Sequence, residues 1–137
     1  GLVMPNSQTA PTFCVAVKRD FVARHFLFGG DWGSENQLHS HHYQVEVCLE
    51  GPELDQHGYL VDIVDIENCI NGLVDHYRDR DLNDLPEFKG LNPSIERLSS
   101  FFLDAFWKHL SSSNVQAITV KLWENEIAWA SCRSEKA

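Results

Sequence analysis

No stretch of this 137-residue chain approaches the roughly eighteen consecutive apolar residues that a membrane-spanning helix needs. The first ten residues, GLVMPNSQTA, also lack the charged and apolar regions of a signal peptide. The expectation is a cytoplasmic protein with no membrane partner and a short frayed N-terminus over residues 1–11. Positive charge is scarce as well: 11 Lys and Arg face 20 Asp and Glu, for a net charge of −9. No basic cluster exceeds the isolated pair Lys18 and Arg19, which argues against binding to the phosphate backbone of nucleic acid. Paired cysteine motifs are missing too. Cys14, Cys48, Cys69 and Cys132 form no CxxC, so neither a zinc ribbon nor a redox motif is indicated. Three of the four lie in apolar runs and read as small buried hydrophobes. What remains, 43% hydrophobic and 23% charged residues, fits one compact domain over residues 1–137 with a real core.

Hydrophobic periodicity divides the chain. Residues 12–24, TFCVAVKRDFVAR, are rich in β-branched and aromatic residues and predict a strand, and the alternation in YQVEVCL at 43–49 predicts another. Between them, residues 26–37 carry three glycines with Asp, Ser and Asn and predict a loop. GPELDQHG at 51–58 is a turn, and YLVDI a short extended segment. Ile66, Ile70, Leu73, Val74 and Tyr77 recur at helical spacing over residues 64–77. After a polar, proline-punctuated connection, Asn92 or Ser94 can cap a second helix whose apolar face runs from Ile95 to Leu110. VQAITVKLW at 115–123 and EIAWASC at 126–132 predict two strands joined at Glu124 and Asn125. The order is ββααββ, an α+β chain.

Histidines carry the chemistry. On a strand, residues i and i+2 face the same way, so His39 and His41 in LHSHHY can grip one metal ion, and His25 at the end of FVARH could supply a third nitrogen. Three protein ligands leave one tetrahedral position open, as in a catalytic zinc site. The competing reading is a set of solvated imidazoles on a half-exposed strand. His42 alternates to the opposite face and stays outside the set. Phe28 and Trp32 in the glycine-rich loop can line a pocket mouth or fill a subunit interface.

Six segments, FVARH at 21–25, HSHHY at 39–43, VDI at 61–63, LND at 82–84, NPSIE at 92–96 and VKLWEN at 120–125, then make a pattern. Together, in this order and spacing, they resemble the 6-pyruvoyl-tetrahydropterin synthase and 6-carboxytetrahydropterin synthase family, over about residues 12–133. The resemblance implies a tunnelling fold: a four-stranded antiparallel sheet with two helices on one face, three copies closing a barrel and two trimers stacking. It implies zinc on His25, His39 and His41, a small-molecule pterin substrate, and Glu124 as the pterin anchor, a carboxylate that accepts hydrogen bonds from the ring's amide and amino groups.

Two departures from the family pattern bear on the reaction. Where the family carries its catalytic cysteine, four residues before the first histidine of HxH, this chain has Glu35, which can still move protons as a general base. A subgroup with glutamate there acts on 7,8-dihydroneopterin triphosphate, cleaving the side chain toward 6-hydroxymethyl-7,8-dihydropterin. The family's Asp-His pair before LND falls here on Arg78 and Asp79, so its histidine is missing. Asp75 and His76, nearly one helical turn earlier, are one replacement; Arg78 or Arg80 of YRDRD could instead fork onto a ligand carboxylate or phosphate. An ordinary charged helix end is the third reading. The expected catalytic set is Glu35, Asp79 and His76, with Glu124 and Arg78 for substrate. Three functions stay open: a zinc-dependent lyase acting on a reduced pterin, a related enzyme acting on another pterin or a deazaguanine precursor, and a zinc- and pterin-binding protein without chemistry.

Overall fold

The computed structural model describes residues 10–137; the expected fraying falls mainly on residues 1–9, outside the described residues. Four strands, β1 (Phe13–His25), β2 (His39–Gly51), β3 (Ala117–Trp123) and β4 (Trp129–Glu135), form one antiparallel sheet in chain order, with two helices, α1 (Ile63–Tyr77) and α2 (Ile95–His109), inserted between β2 and β3. This is the expected ββααββ order with two helices against a four-stranded sheet. Among the described residues no helix is long and apolar enough to cross a membrane.

Local chemistry sets the helices. The Asp62 carboxylate caps α1 by accepting from the Val64 N–H at 2.9 Å, and Ser94 caps α2 by accepting from the Arg97 N–H at 3.2 Å. Ile66, Ile70, Val74 and Tyr77 then bury one stripe of α1, and Leu98, Phe102, Leu103 and Phe106 one stripe of α2. They close on alternate sheet residues, among them Phe21, Tyr43, Val45, Val47, Ile118, Val120 and Leu122. Phe102 sits at the centre, stacked on Tyr77 and Phe21 with ring centroids 5.3 and 6.1 Å apart.

Three sequence expectations shift. β2 begins at His39, so the histidine pair lies inside the strand. β4 begins at Trp129 rather than 126, because the Asn125 side chain accepts from the N–H groups of Ile127 and Ala128 at 2.9 and 2.8 Å and keeps both in the turn. Cys14 and Cys48 are joined as a disulfide, not separate hydrophobes; Cys48 pairs with Ala16 across β1 and β2, which brings Cys14 within 6.2 Å Cα to Cα. Only antiparallel register, invisible in the sequence, makes residues 34 apart neighbours.

The YRDRD segment has a structural role. Asp79 adopts φ +60°, a left-handed conformation that aspartate tolerates better than most residues. The kink lets the Asp79 N–H donate to the Val22 carbonyl at 2.7 Å and the Arg80 carbonyl accept from the Arg24 N–H at 2.9 Å. Arg24 also pairs with the Asp81 carboxylate. Residues 79–81 therefore cover the outer edge of β1 just before His25, satisfying backbone groups that an open edge would expose.

Candidate metal centre

Register assembles the site. His25 is directly opposite His39, and Ala23 is opposite His41, so the three imidazoles fall on one face at one end of the β1–β2 ladder. One ring nitrogen from each lies within 4.8 Å of the others. The His39 and His41 Nε2 atoms are 3.1 Å apart, close to the roughly 3.3 Å that separates two nitrogens on one tetrahedral zinc.

Backbone carbonyls fix two of the rings. His25 Nδ1 lies 2.9 Å from the Pro93 carbonyl, and His39 Nδ1 lies 2.7 Å from the Gln37 carbonyl. A carbonyl only accepts, so both Nδ1 atoms donate, which leaves the Nε2 side of each ring to face the metal position. The Tyr43 hydroxyl approaches His25 Nδ1 at 3.3 Å. Burial pushes the His25 pKa down to about 4, helped by His41 and His39 and opposed by the Pro93 carbonyl and Glu35. At neutral pH it is a neutral donor, and the residues present fit a divalent metal that accepts imidazole.

That shift has a measurable consequence in metal-free protein. The unfolded chain protonates His25 below about 6.5, whereas the folded chain resists until about pH 4. The stability His25 contributes is therefore present above that window and lost as pH falls through it, by about 3 kcal/mol. Urea unfolding in chelator from pH 7 to pH 4 is expected to fall more steeply for the parent than for His25→Gln. Equal slopes would remove the effect.

The other expected residues divide. Glu35 sits in a short 3-10 turn, Gly33–Asn36, exposed, with its charge near enough to His25 to favour the protonated ring. Glu124 directly follows β3, half-buried. It lines a cavity of about 440 Å³ with Ser40, His41, His42, Gln44, Asn125 and Glu126. Burial raises the Tyr43 phenol, and Glu124 raises it further. His41 and Glu124 both border this cavity, while its other β2 residues, Ser40, His42 and Gln44, alternate to the face opposite the three imidazoles. His42 points to the opposite face, as expected, and meets Asp20 at 2.6 Å.

Within one chain, the remaining three stay apart from that cavity. His76 Nε2 meets Glu87 at 2.8 Å in a groove against α2. Arg78 caps the end of α1 and pairs with Asp75 at 3.1 Å. Asp79 is committed through its backbone to β1. A larger cavity of about 520 Å³, beside Phe13, Leu54 and Tyr59, contains no histidine. Convergent ring nitrogens, not size, mark the site. Sequence reasoning missed the Pro93 and Gln37 carbonyls, since a backbone acceptor carries no signature in residue type.

Comparison with known proteins agrees with the fold. The family model described as 6-pyruvoyl tetrahydropterin synthase matches residues 14–135. A 6-carboxy-5,6,7,8-tetrahydropterin synthase from Aquifex aeolicus is 28% identical over 121 residues, covering 72% of this chain and 75% of its own. A dihydroneopterin monophosphate aldolase from Pyrococcus furiosus is 26% identical over 120 residues, covering 84% and 96%. A solved structure of Plasmodium vivax 6-pyruvoyltetrahydropterin synthase, with alanine in place of a catalytic glutamate, superimposes with a TM-score of 0.76 at 15% identity over 92% and 99% of the two chains.

Proposed function

Since the chain belongs to the 6-pyruvoyl tetrahydropterin synthase family, we propose that it is a zinc-dependent lyase acting on a reduced pterin such as 7,8-dihydroneopterin triphosphate, cleaving a carbon–carbon bond of the side chain. The observation that carries the reading is the convergence of His25, His39 and His41; the sequence resemblance adds Glu35, in the 3-10 turn Gly33–Asn36, as the counterpart of the family's catalytic cysteine. Two of the named relatives support the choice of reaction: one is an aldolase acting on a dihydroneopterin phosphate, and another uses a catalytic glutamate.

His25, His39 and His41 would hold the zinc, which when bound supplies Lewis-acid polarisation of the side-chain hydroxyls. Glu124 anchors the ring by accepting from its amide and amino hydrogens. Glu35 takes the proton from the second side-chain hydroxyl. That carbon becomes an aldehyde carbonyl, its bond to the first side-chain carbon breaks, and the electron pair passes into the ring's imine. Return of a proton to the first carbon leaves a 6-hydroxymethyl group.

The same membership supports a homo-oligomer, a trimer or a dimer of trimers, paired through β4 and the uncovered part of β1. His76, Arg78 and Asp79, remote from their own chain's cavity, reach a substrate only by facing a neighbouring copy's site. Mass spectrometry of products from a panel of dihydropterins tests the reaction. The expected product is 6-hydroxymethyl-7,8-dihydropterin with an aldehyde fragment. Loss of triphosphate with the carbon chain intact would instead indicate the carbon–oxygen cleavage of a cysteine-bearing relative, and tight binding without product a non-catalytic pterin protein.

A further inference from the structure

After His25 the backbone leaves β1, yet residues 26–28 are bonded as if strands lay on both sides. The Phe26 N–H donates to Asn83 Oδ1 at 2.9 Å, and Asn83 Nδ2 donates back to the Phe26 carbonyl at 3.0 Å. Asn92 repeats this two residues on: the Phe28 N–H donates to its Oδ1 and its Nδ2 donates to the Phe28 carbonyl, each at 2.9 Å. Phe26 and Phe28 present the same edge of an extended chain, so two carboxamides stand in for one missing strand. On the opposite edge, the Leu27 N–H donates to the Glu35 carbonyl at 2.9 Å, and Asn36 Nδ2 donates to the Leu27 carbonyl at 3.0 Å.

The backbone of the candidate base is therefore bonded to the segment that directly follows the candidate metal ligand, two residues past His25. Asn92 is next to Pro93, whose carbonyl holds His25 Nδ1 at 2.9 Å. The dipeptide Asn92–Pro93 grips the Phe28 backbone with one residue and the His25 ring with the other. We propose that Asn83 and Asn92 are positioning residues that set Glu35 relative to His25, with Asn92 also fixing the metal ligand through Pro93. This rests on the metal-dependent reading above.

Asn92→Asp tests it with almost no change of shape. A carboxylate keeps the bond from the Phe28 N–H but cannot donate to the Phe28 carbonyl, and sets two acceptors face to face. Zinc affinity of the metal-free protein, by chelator competition, is expected to weaken about 10- to 100-fold. For zinc-loaded protein, kcat is expected to fall about 10- to 100-fold with KM within about twofold. Asn83→Asp is expected to lower kcat in the same way. Asn68→Asp, the same change at an exposed position of α1, leaves both values unchanged. A lowered melting temperature in Asn92→Asp, with zinc affinity and kcat at parent values, would show a merely structural clamp and overturn the proposal. If that variant does not fold, Asn92→Ser, which removes both bonds without adding charge, carries the same expectations and the same refutation. Should the parent make no product, the zinc-affinity arm still decides this inference while the catalytic reading fails separately.

Discussion

Replacing His39 with alanine is expected to weaken zinc binding by at least about a hundredfold, because loss of a direct ligand exceeds the cost of losing an outer-shell partner. His39 is the sharpest choice of the three. It is partly exposed at the start of β2, so truncation opens no core cavity, whereas His25 is 4% exposed and packs against Tyr43. Its Nε2 lies 3.1 Å from that of His41, within hydrogen-bond range and close to the spacing of two nitrogens on one tetrahedral cation. The fold should survive: β1 and β2 remain paired from Phe13 to His25, and the helices bury the same residues. Equilibrium dialysis against zinc, with circular dichroism as the control, checks both halves. Retention of tight stoichiometric zinc by His39→Ala would remove the three-histidine site.

Glu35→Gln is expected to lower turnover about 10²- to 10⁴-fold while leaving zinc in place, the range a general base contributes. Glutamine keeps the size of the side chain and cannot take a proton. Both hydrogen bonds that define this residue's position use its backbone, to Leu27 and to Trp32, so the substitution leaves the loop's anchoring intact. Loss of activity with parent-like zinc content and KM would place proton transfer on this carboxylate. Parent-like turnover would move that role elsewhere, and the residues to examine next are His76, Arg78 and Asp79 of a neighbouring copy.

Much of the fold is visible in the sequence because it is written locally. The stripes Ile66–Ile70–Val74 and Leu98–Phe102–Phe106 follow from helical period, and the caps at Asp62 and Ser94 from residue type. The metal candidates were legible for a similar reason, since His39 and His41 share a face by period alone and need only a neighbouring strand to bring His25. Long-range arrangements were hidden. Nothing in the sequence says that Pro93 offers its carbonyl to a ring 68 residues away, that Cys14 meets Cys48, or that Asp79 turns left-handed to cover an edge of β1. His76 shows what one chain leaves open: its place in the sequence invites a catalytic role, and in the single chain Glu87 holds it against α2, away from the three histidines.

The most direct measurement titrates zinc into metal-free protein in the presence of 7,8-dihydroneopterin triphosphate and follows the product by mass. 6-Hydroxymethyl-7,8-dihydropterin is expected to form at a rate that rises linearly to one zinc per chain and then levels off. Product formation independent of added zinc, or none at full occupancy, would contradict this expectation.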